Sequence, residues 1–417
     1  MATESTPPLG FGTRAIRAAS TPPDVRQTAN SVPIYQAATF AAEDSAELGD
    51  ILADRKPGYA YARIDNPTAS AMASAVAELE GAEAGYSFAS GMAAIHGTLF
   101  ALVRAGDRIV STRAVYGSTR QLMSEVLARF GVETVFVDPT DPDAVEAALP
   151  GARVLYLETI SNPTIIVADI AALAGLAHRH GAKVVVDNTF ASPFLCRPLE
   201  LGADLVVESC TKWIGGHSDV VAGSVAGSRE LVSQVKALEV DAGGIAAPFS
   251  AFLVLRGIET LHVRMERHCA TALALARFLE ARPEVASVMY PGLASHPQAA
   301  VAQRQLRAGG GMLALDLGER AAAAAFLDAL SIPPRTASLG SIQTIAVHPP
   351  SSTHRQLSKT ELLEAGIPQG LVRISVGLED VDDLSADFSV GLAAARTVAL
   401  HGDPARDLRP AAETVGS

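Results

Sequence analysis

Short apolar runs alternate with amphipathic stretches through the middle of the chain. The runs fall at Arg108–Ser111, Thr134–Val137, Val154–Glu158, Lys183–Asp187 and Leu205–Glu208. Several are continuous Val/Ile/Leu runs rather than alternating ones, as expected of strands covered on both faces. Gln121–Phe130 and Ile170–His180, lying between them, read as helices. This alternation predicts a parallel sheet wrapped by helices. Upstream, Asn66-Pro67 opens a helix, with Asn at the cap and Pro at the first helical position. That helix runs through Val76 and Leu79 and stops at Gly81.

After about Arg256 the pattern changes. A long helix (Leu261–Glu280) precedes a short strand (Met312–Leu317), an Ala-rich helix (Ala321–Leu330) and a further strand at Arg373–Val376. The expected division is an N-terminal arm over 1–60, a large domain over 61–256, a smaller α/β domain over 257–398 and a flexible tail over 399–417. The first 30 residues, rich in Pro, Thr and Ala, are expected to lie over a neighbour or over the body.

Composition narrows the class. The 417 residues are 48% hydrophobic, enough for an extensive core in a large domain plus a smaller one. The net charge of −12 is spread over both halves without a Lys/Arg block, which argues against nucleic acid or an anionic membrane as partner. Cys196, Cys210 and Cys269 form no C-x-x-C pair and no metal spacing, so buried thiols in a reducing compartment are expected. His348 and His354 likewise lack ligand spacing and read as solvated or capping histidines. No secretory leader is evident, and no apolar run approaches the roughly 20 residues that span a bilayer. A cytoplasmic protein is expected.

Ligands of open parallel sheets bind outside the carboxyl ends of the strands. Glu158 closes one predicted strand, with Asn162 in the next loop; Asp187 closes another, and Lys212 follows the next strand within Ser209-Cys210-Thr211-Lys212. Serine and threonine hydroxyls can grip a phosphate. A lysine amine in a partly dry pocket can lose its proton and attack a carbonyl. An Asp at such a strand end can keep a pyridine nitrogen protonated, making the ring an electron sink. Taken singly, a strand-end Asp is more often a cap or turn residue; paired with Lys212 one βα unit later, the functional reading is the better one.

Ser90-Gly91-Met92-Ala93 opens another helix, whose free N–H groups attract anions. Tyr116 lies on the same edge, where its ring could stack on a cofactor or serve as a half-buried structural residue. Ser209–Lys212 also satisfies S-x-x-K, but the S-D-N and K-T-G partners of the penicillin-binding signature do not occur. Together these residues suit pyridoxal phosphate (PLP).

Longer motifs sharpen this. Tyr61-Ala62-Arg63-Ile64-Asp65-Asn66-Pro67-Thr68, Ala89-Ser90-Gly91-Met92, Asp187-Asn188-Thr189-Phe190, Glu208-Ser209-Cys210-Thr211-Lys212-Trp213, Ser338-Leu339-Gly340 and Val372-Arg373-Ile374-Ser375 follow one another in order. From about Gly10 to Leu384 the chain resembles the Cys/Met-metabolism (transsulfuration) family of fold-type-I PLP enzymes. The resemblance implies that Lys212 binds the cofactor and shuttles protons, and that Asp187 pairs with the ring nitrogen. Ser90, Gly91, Met92, Ser209 and Thr211 would hold the phosphate, Tyr116 would stack on the ring and aid proton transfer, and Asn162 would touch the ring oxygen. Tyr61 and Arg63 would reach the phosphate of a neighbouring subunit, so a homo-oligomer is implied, at least a dimer and by family habit a tetramer. Arg373 would clamp the substrate carboxylate as a bidentate fork, with Ser338 shaping that side. Read without the family, Arg63 and Arg373 look like surface or ion-pair residues.

The implied reaction is γ-elimination from a methionine- or homocysteine-like substrate, giving 2-oxobutyrate, ammonia and a thiol. The alternative is γ-replacement, as in cystathionine γ-synthase or O-acylhomoserine sulfhydrylase. Three positions bear on the choice. Ala337 stands where cystathionine-handling members tend to carry Glu, Ser118 stands where methionine γ-lyases typically place Cys, and Val240 stands where they tend to have Lys. A type-I aminotransferase would share the Asp and Lys but usually lacks the Tyr61/Arg63 and Ser338-Leu339-Gly340 motifs.

Overall fold

The structure, a computed structural model, describes residues 29–355 and 357–401. The N-terminal segment 1–28 and residues 402–417 of the expected tail lie outside the described residues. The elements below belong to one body that begins at Ile34.

The apolar runs form a seven-stranded sheet. Its strands are β1 (Ala84–Phe88), β2 (Arg108–Thr112), β3 (Glu133–Val137), β4 (Ala152–Glu158), β5 (Lys183–Asp187), β6 (Leu205–Glu208) and β7 (Gly223–Gly227). They are ordered β1-β7-β6-β5-β4-β2-β3. Strands β2 to β6 run parallel, and β7 is antiparallel to both β6 and β1. Both faces are covered, as the continuous runs require. Leu155, Leu157, Val184, Val186 and Val206 enter one core, whereas Val154, Tyr156, Val185, Leu205 and Val207 enter another. Each fully buried aliphatic side chain contributes roughly 1.5–3 kcal/mol relative to exposure.

The register sets the site. Glu158 is paired with Asp187, and Asp187 with Val207, so β4, β5 and β6 end level with one another. The helix at Pro67–Glu80 forms as expected: the Asn66 side chain accepts from the backbone N–H of Thr68 and Ala69, and Gly81 ends the helix in the left-handed region at φ 72°. Gln121–Phe130 departs from a regular helix. An α-turn begins earlier, at Gly117, and passes into a π-helical stretch over Leu122–Leu127. Wide turns of this kind often adjoin functional groups, and Tyr116 caps the helical turn that leads into this one.

The second sheet is antiparallel, in the order β10-β11-β9-β8. It comprises β8 (Ser287–Met289), β9 (Met312–Asp316), β10 (Ile345–Val347) and β11 (Leu371–Ser375). Its own core includes Leu275 and Leu279 of the Leu261–Glu280 helix, Phe326 of the Arg320–Ala329 helix and Phe388 of the Val381–His401 helix. Phe326 and Phe388 meet edge to face, 5.5 Å between centroids. That last helix runs to His401.

His348 and His354 correct an expectation: both are buried, not solvated. The loop after β10 packs beneath β11, and His348 Nε2 lies 2.7 Å from the Gln369 carbonyl just before that strand. His354 Nδ1 lies 2.9 Å from the Thr353 hydroxyl. All three cysteines are buried free thiols, as expected. Among the described residues no helix is long and apolar enough to cross a membrane.

Candidate active site

A cavity of about 370 Å³ opens at the carboxyl ends of β4, β5 and β6. Ser90, Gly91, Met92, Tyr116, Asn162, Asp187, Ser209, Thr211, Lys212, Ser338 and Arg373 all line it. The two sheets thus bring eleven of the expected site residues to one place. A larger hollow of about 560 Å³ beside Arg197, Arg304 and Arg307 holds none of them.

Lys212 sits in the turn after β6, half-buried, with its Nζ donating to Ser338 Oγ at 2.7 Å. Burial, and then the charge of Arg373, lower its pKa to about 8, so about a tenth of the amine is unprotonated at neutrality, far more than for an ordinary lysine. Ser338 holds a positive φ of 115°. For a residue with a side chain this backbone costs on the order of 1–3 kcal/mol, and it delivers the hydroxyl to Lys212.

Arg373, on β11, is 3% exposed. Its Nη1 donates to Asn162 Oδ1 and its Nη2 to the Ser338 carbonyl, each at 2.8 Å, while Nε has no partner among the described residues. Burial lowers its pKa to about 10, which leaves it a cation at neutral pH. Among the described residues no carboxylate lies within ion-pairing distance of it. A buried, uncompensated guanidinium is costly to keep and fits an incoming carboxylate.

At the opposite end, Ser90 caps the helix Gly91–Leu102, its hydroxyl accepting from Ala93 N–H at 3.1 Å. Gly91 is required there, since a Cβ would stand 2.6 Å from Ser209 Cβ. Thr211 Oγ1 bridges Ala222, donating to its carbonyl at 3.2 Å and accepting from its N–H at 3.1 Å. A helix start flanked by hydroxyls is a seat for a phosphate.

Asp187 Oδ1 accepts from Thr189 N–H at 3.0 Å and Oδ2 from the Tyr156 hydroxyl at 3.2 Å. Burial raises its pKa, and those donors pull it back. A ring cation placed against it would restore the charged form. Glu158 is also pushed well up, by burial first and then by Asp187, against two backbone N–H bonds. Thr189 and Tyr156 went unread in the sequence. Their signals are local: Thr189 stands two residues after Asp187, and Tyr156 shares a strand face with Glu158.

Tyr61 and Arg63 stand apart from the cavity. Tyr61 is exposed and bridges to Thr39. Arg63 donates to the Val240 carbonyl, its guanidinium 5.7 Å from the Tyr61 ring centroid. Ala337, Val221 and Thr353 line the remaining cavity wall.

An anion seat, a carboxylate for a ring nitrogen and a depressed lysine amine between them fit pyridoxal phosphate, on a fold whose open sheet presents all three at one edge. These features define a PLP-dependent enzyme of the fold-type-I class. The chain belongs to the Cys/Met metabolism PLP-dependent enzyme family, whose model matches residues 12–393. It is 45% identical over 389 residues to an L-methionine gamma-lyase of Pseudomonas putida, covering 92% of this chain and 98% of that one. It is 40% identical over 371 residues to a cystathionine gamma-lyase of Bacillus subtilis, covering 88% and 96%. The crystal structure of metB from Corynebacterium glutamicum superposes with a TM-score of 0.84 at 40% identity, covering 92% and 98%.

Proposed function

We propose that this enzyme eliminates the γ-substituent of a methionine- or homocysteine-like amino acid, releasing a thiol, ammonia and 2-oxobutyrate. The observation that carries this reading is the charge inventory of the cavity. Among the described residues that line it, the only cations are Lys212 and Arg373 and the only acids are Asp187 and Glu158, all already committed. A substrate with a second amino-acid head, such as cystathionine, finds no further ionic partner among the described residues that line the cavity. Ala337, Val221 and Leu339 suit an uncharged thioether or thiol tail. The methionine gamma-lyase relative supports the same choice.

Bound PLP supplies an aldehyde for amine capture and a ring that stabilises negative charge at the substrate α carbon. Ser90, Gly91, Met92, Ser209 and Thr211 would hold its phosphate, Asp187 its ring nitrogen, Asn162 its ring oxygen and Tyr116 its face. Arg373 fixes the substrate carboxylate. Lys212 Nζ takes the α and then the β proton, and Ser338 Oγ holds that amine in place between transfers. The Tyr116 hydroxyl, at the exposed rim, can pass a proton to the departing sulfur. Tyr61 and Arg63 serve the phosphate of a second copy, which makes the working unit a cytoplasmic homo-oligomer, at least dimeric. Their exposed position, away from the cavity of their own chain, supports this.

The deciding assay measures 2-oxobutyrate from methionine, homocysteine and cystathionine beside sulfide-dependent consumption of O-acetyl- and O-succinylhomoserine. Elimination from the first two should dominate. Faster turnover of an O-acylhomoserine with sulfide would replace this reading by γ-replacement.

A further inference from the structure

We propose that Glu158 is a positioning residue that aims the Arg373 fork at the substrate carboxylate by anchoring Asn162. The inference rests on the reading of Arg373 as the carboxylate clamp.

Glu158 ends β4 and is 5% exposed. Both of its oxygens are engaged, Oε1 by Tyr116 N–H at 2.6 Å and Oε2 by Asn162 N–H at 2.9 Å. Two N–H donors converge on the two ends of one side chain, where a carboxyl group can accept at both oxygens and an amide at only one. Glu158 therefore ties together a loop from β2 and a loop from β4.

The tie continues across the cavity. Asn162 Oδ1 holds Arg373 Nη1, the Ser338 carbonyl holds Nη2, and Ser338 Oγ holds Lys212 Nζ. Among the described residues the fork has no acidic partner to set its plane, so its aim depends on these two neutral acceptors. One of them is only as well placed as the Asn162 backbone, and Glu158 fixes that backbone. Folding alone gives a poor account of Glu158, because it stands opposite Asp187 in the strand register, where a second negative charge opposes the first.

The test compares holoenzymes of the wild type, Glu158→Gln and Arg373→Ala. The probes are two non-cleavable ligands, L-norleucine and its carboxylate-free counterpart n-pentylamine, and the readouts are their Kd values and the thermal midpoint. Gln keeps the size of Glu158 but turns an N–H toward one of the two N–H donors, releasing one loop. The ratio of the two Kd values reports the carboxylate clamp. Arg373→Ala should collapse it. Glu158→Gln should cut it by about tenfold, the scale of one charge-assisted contact, while the Kd of n-pentylamine stays within about twofold. KM should rise more than kcat falls.

A wild-type ratio in Glu158→Gln, with collapse in Arg373→Ala, overturns the role of Glu158 and leaves the clamp intact. An unchanged ratio in Arg373→Ala overturns the clamp itself. If Glu158→Gln does not fold, Glu158→Asp keeps the charge but reaches one N–H only. An intermediate ratio in that variant supports the inference, and a wild-type ratio refutes it.

Discussion

Lys212 is made reactive by two neighbours that act in the same direction, the dry cavity wall and the Arg373 cation. Only the unprotonated amine can attack an aldehyde. Uptake of PLP by the cofactor-free protein should therefore accelerate as pH rises through about 8 and level off above it. Stopped-flow absorbance would record this, and a rate flat between pH 6 and 9 would refute it. Arg373→Ala removes the second neighbour, so its profile should move toward higher pH. Lys212→Ala should lose the yellow absorbance of the lysine-bound cofactor altogether. Stability follows the same proton. The folded pKa of Lys212 lies below its unfolded value of 10.5, so between about 8 and 10.5 the unfolded chain binds more protons and this residue's contribution rises with pH.

At the scale of elements, the end of the Pro67–Glu80 helix meets the end of β6 through two buried acids, Glu80 and Glu208. Glu80 Oε2 and Glu208 Oε1 are buried without a partner among the described residues, as two carboxylates sharing a proton would leave them; Asn188 Nδ2 donates to Glu80 Oε1 at 3.1 Å. Burial is the main cause that raises both acids, Glu80 to about 7 and Glu208 well above its ordinary value, so the pair retains a proton in the folded state. Native protein then holds a proton that the unfolded chain releases above pH 4.5, so stability falls as pH rises through about 7. The loss should be roughly 3 kcal/mol at pH 8. Glu208→Gln, which donates a hydrogen bond at every pH, should flatten the dependence of the thermal midpoint between pH 5 and 8. An unchanged slope would show that the pair does not share a proton.

No spacing announces that pair, because its members come from a helix and a strand far apart in sequence. Strands β2 to β6 were legible because branched apolar runs have no other use at that length. In contrast, β1 (Ala84–Phe88) and β7 (Gly223–Gly227) are built of Gly, Ala and Ser with one or two larger residues, and carry no apolar signal. The π-helical stretch is likewise silent, since its residues suit a regular helix. The site was legible where one residue type performs one task, as with Lys212, Asp187 and Gly91. Arg373 needed the family, because only tertiary structure shows that it lacks an acidic partner.

Across the whole molecule, Lys212 lines the cavity while Tyr61 and Arg63 are exposed and outside its lining. If sites are shared between copies, two damaged chains can repair each other. Mixed and reassembled Lys212→Ala and Arg63→Ala chains should regain about a quarter of wild-type activity at limiting PLP, from the one sound site in each mixed dimer. Activity no greater than the sum of the parents would show that each chain works alone. The unpaired Arg373 carries a further consequence, for the end of the catalytic cycle. A 2-oxo acid leaves with the same carboxylate that brought the amino acid in, and the fork has no acid among the described residues to turn to once it is free. Release of the keto acid therefore works against the strongest attraction in the cavity, so the enzyme should slow as its own product accumulates.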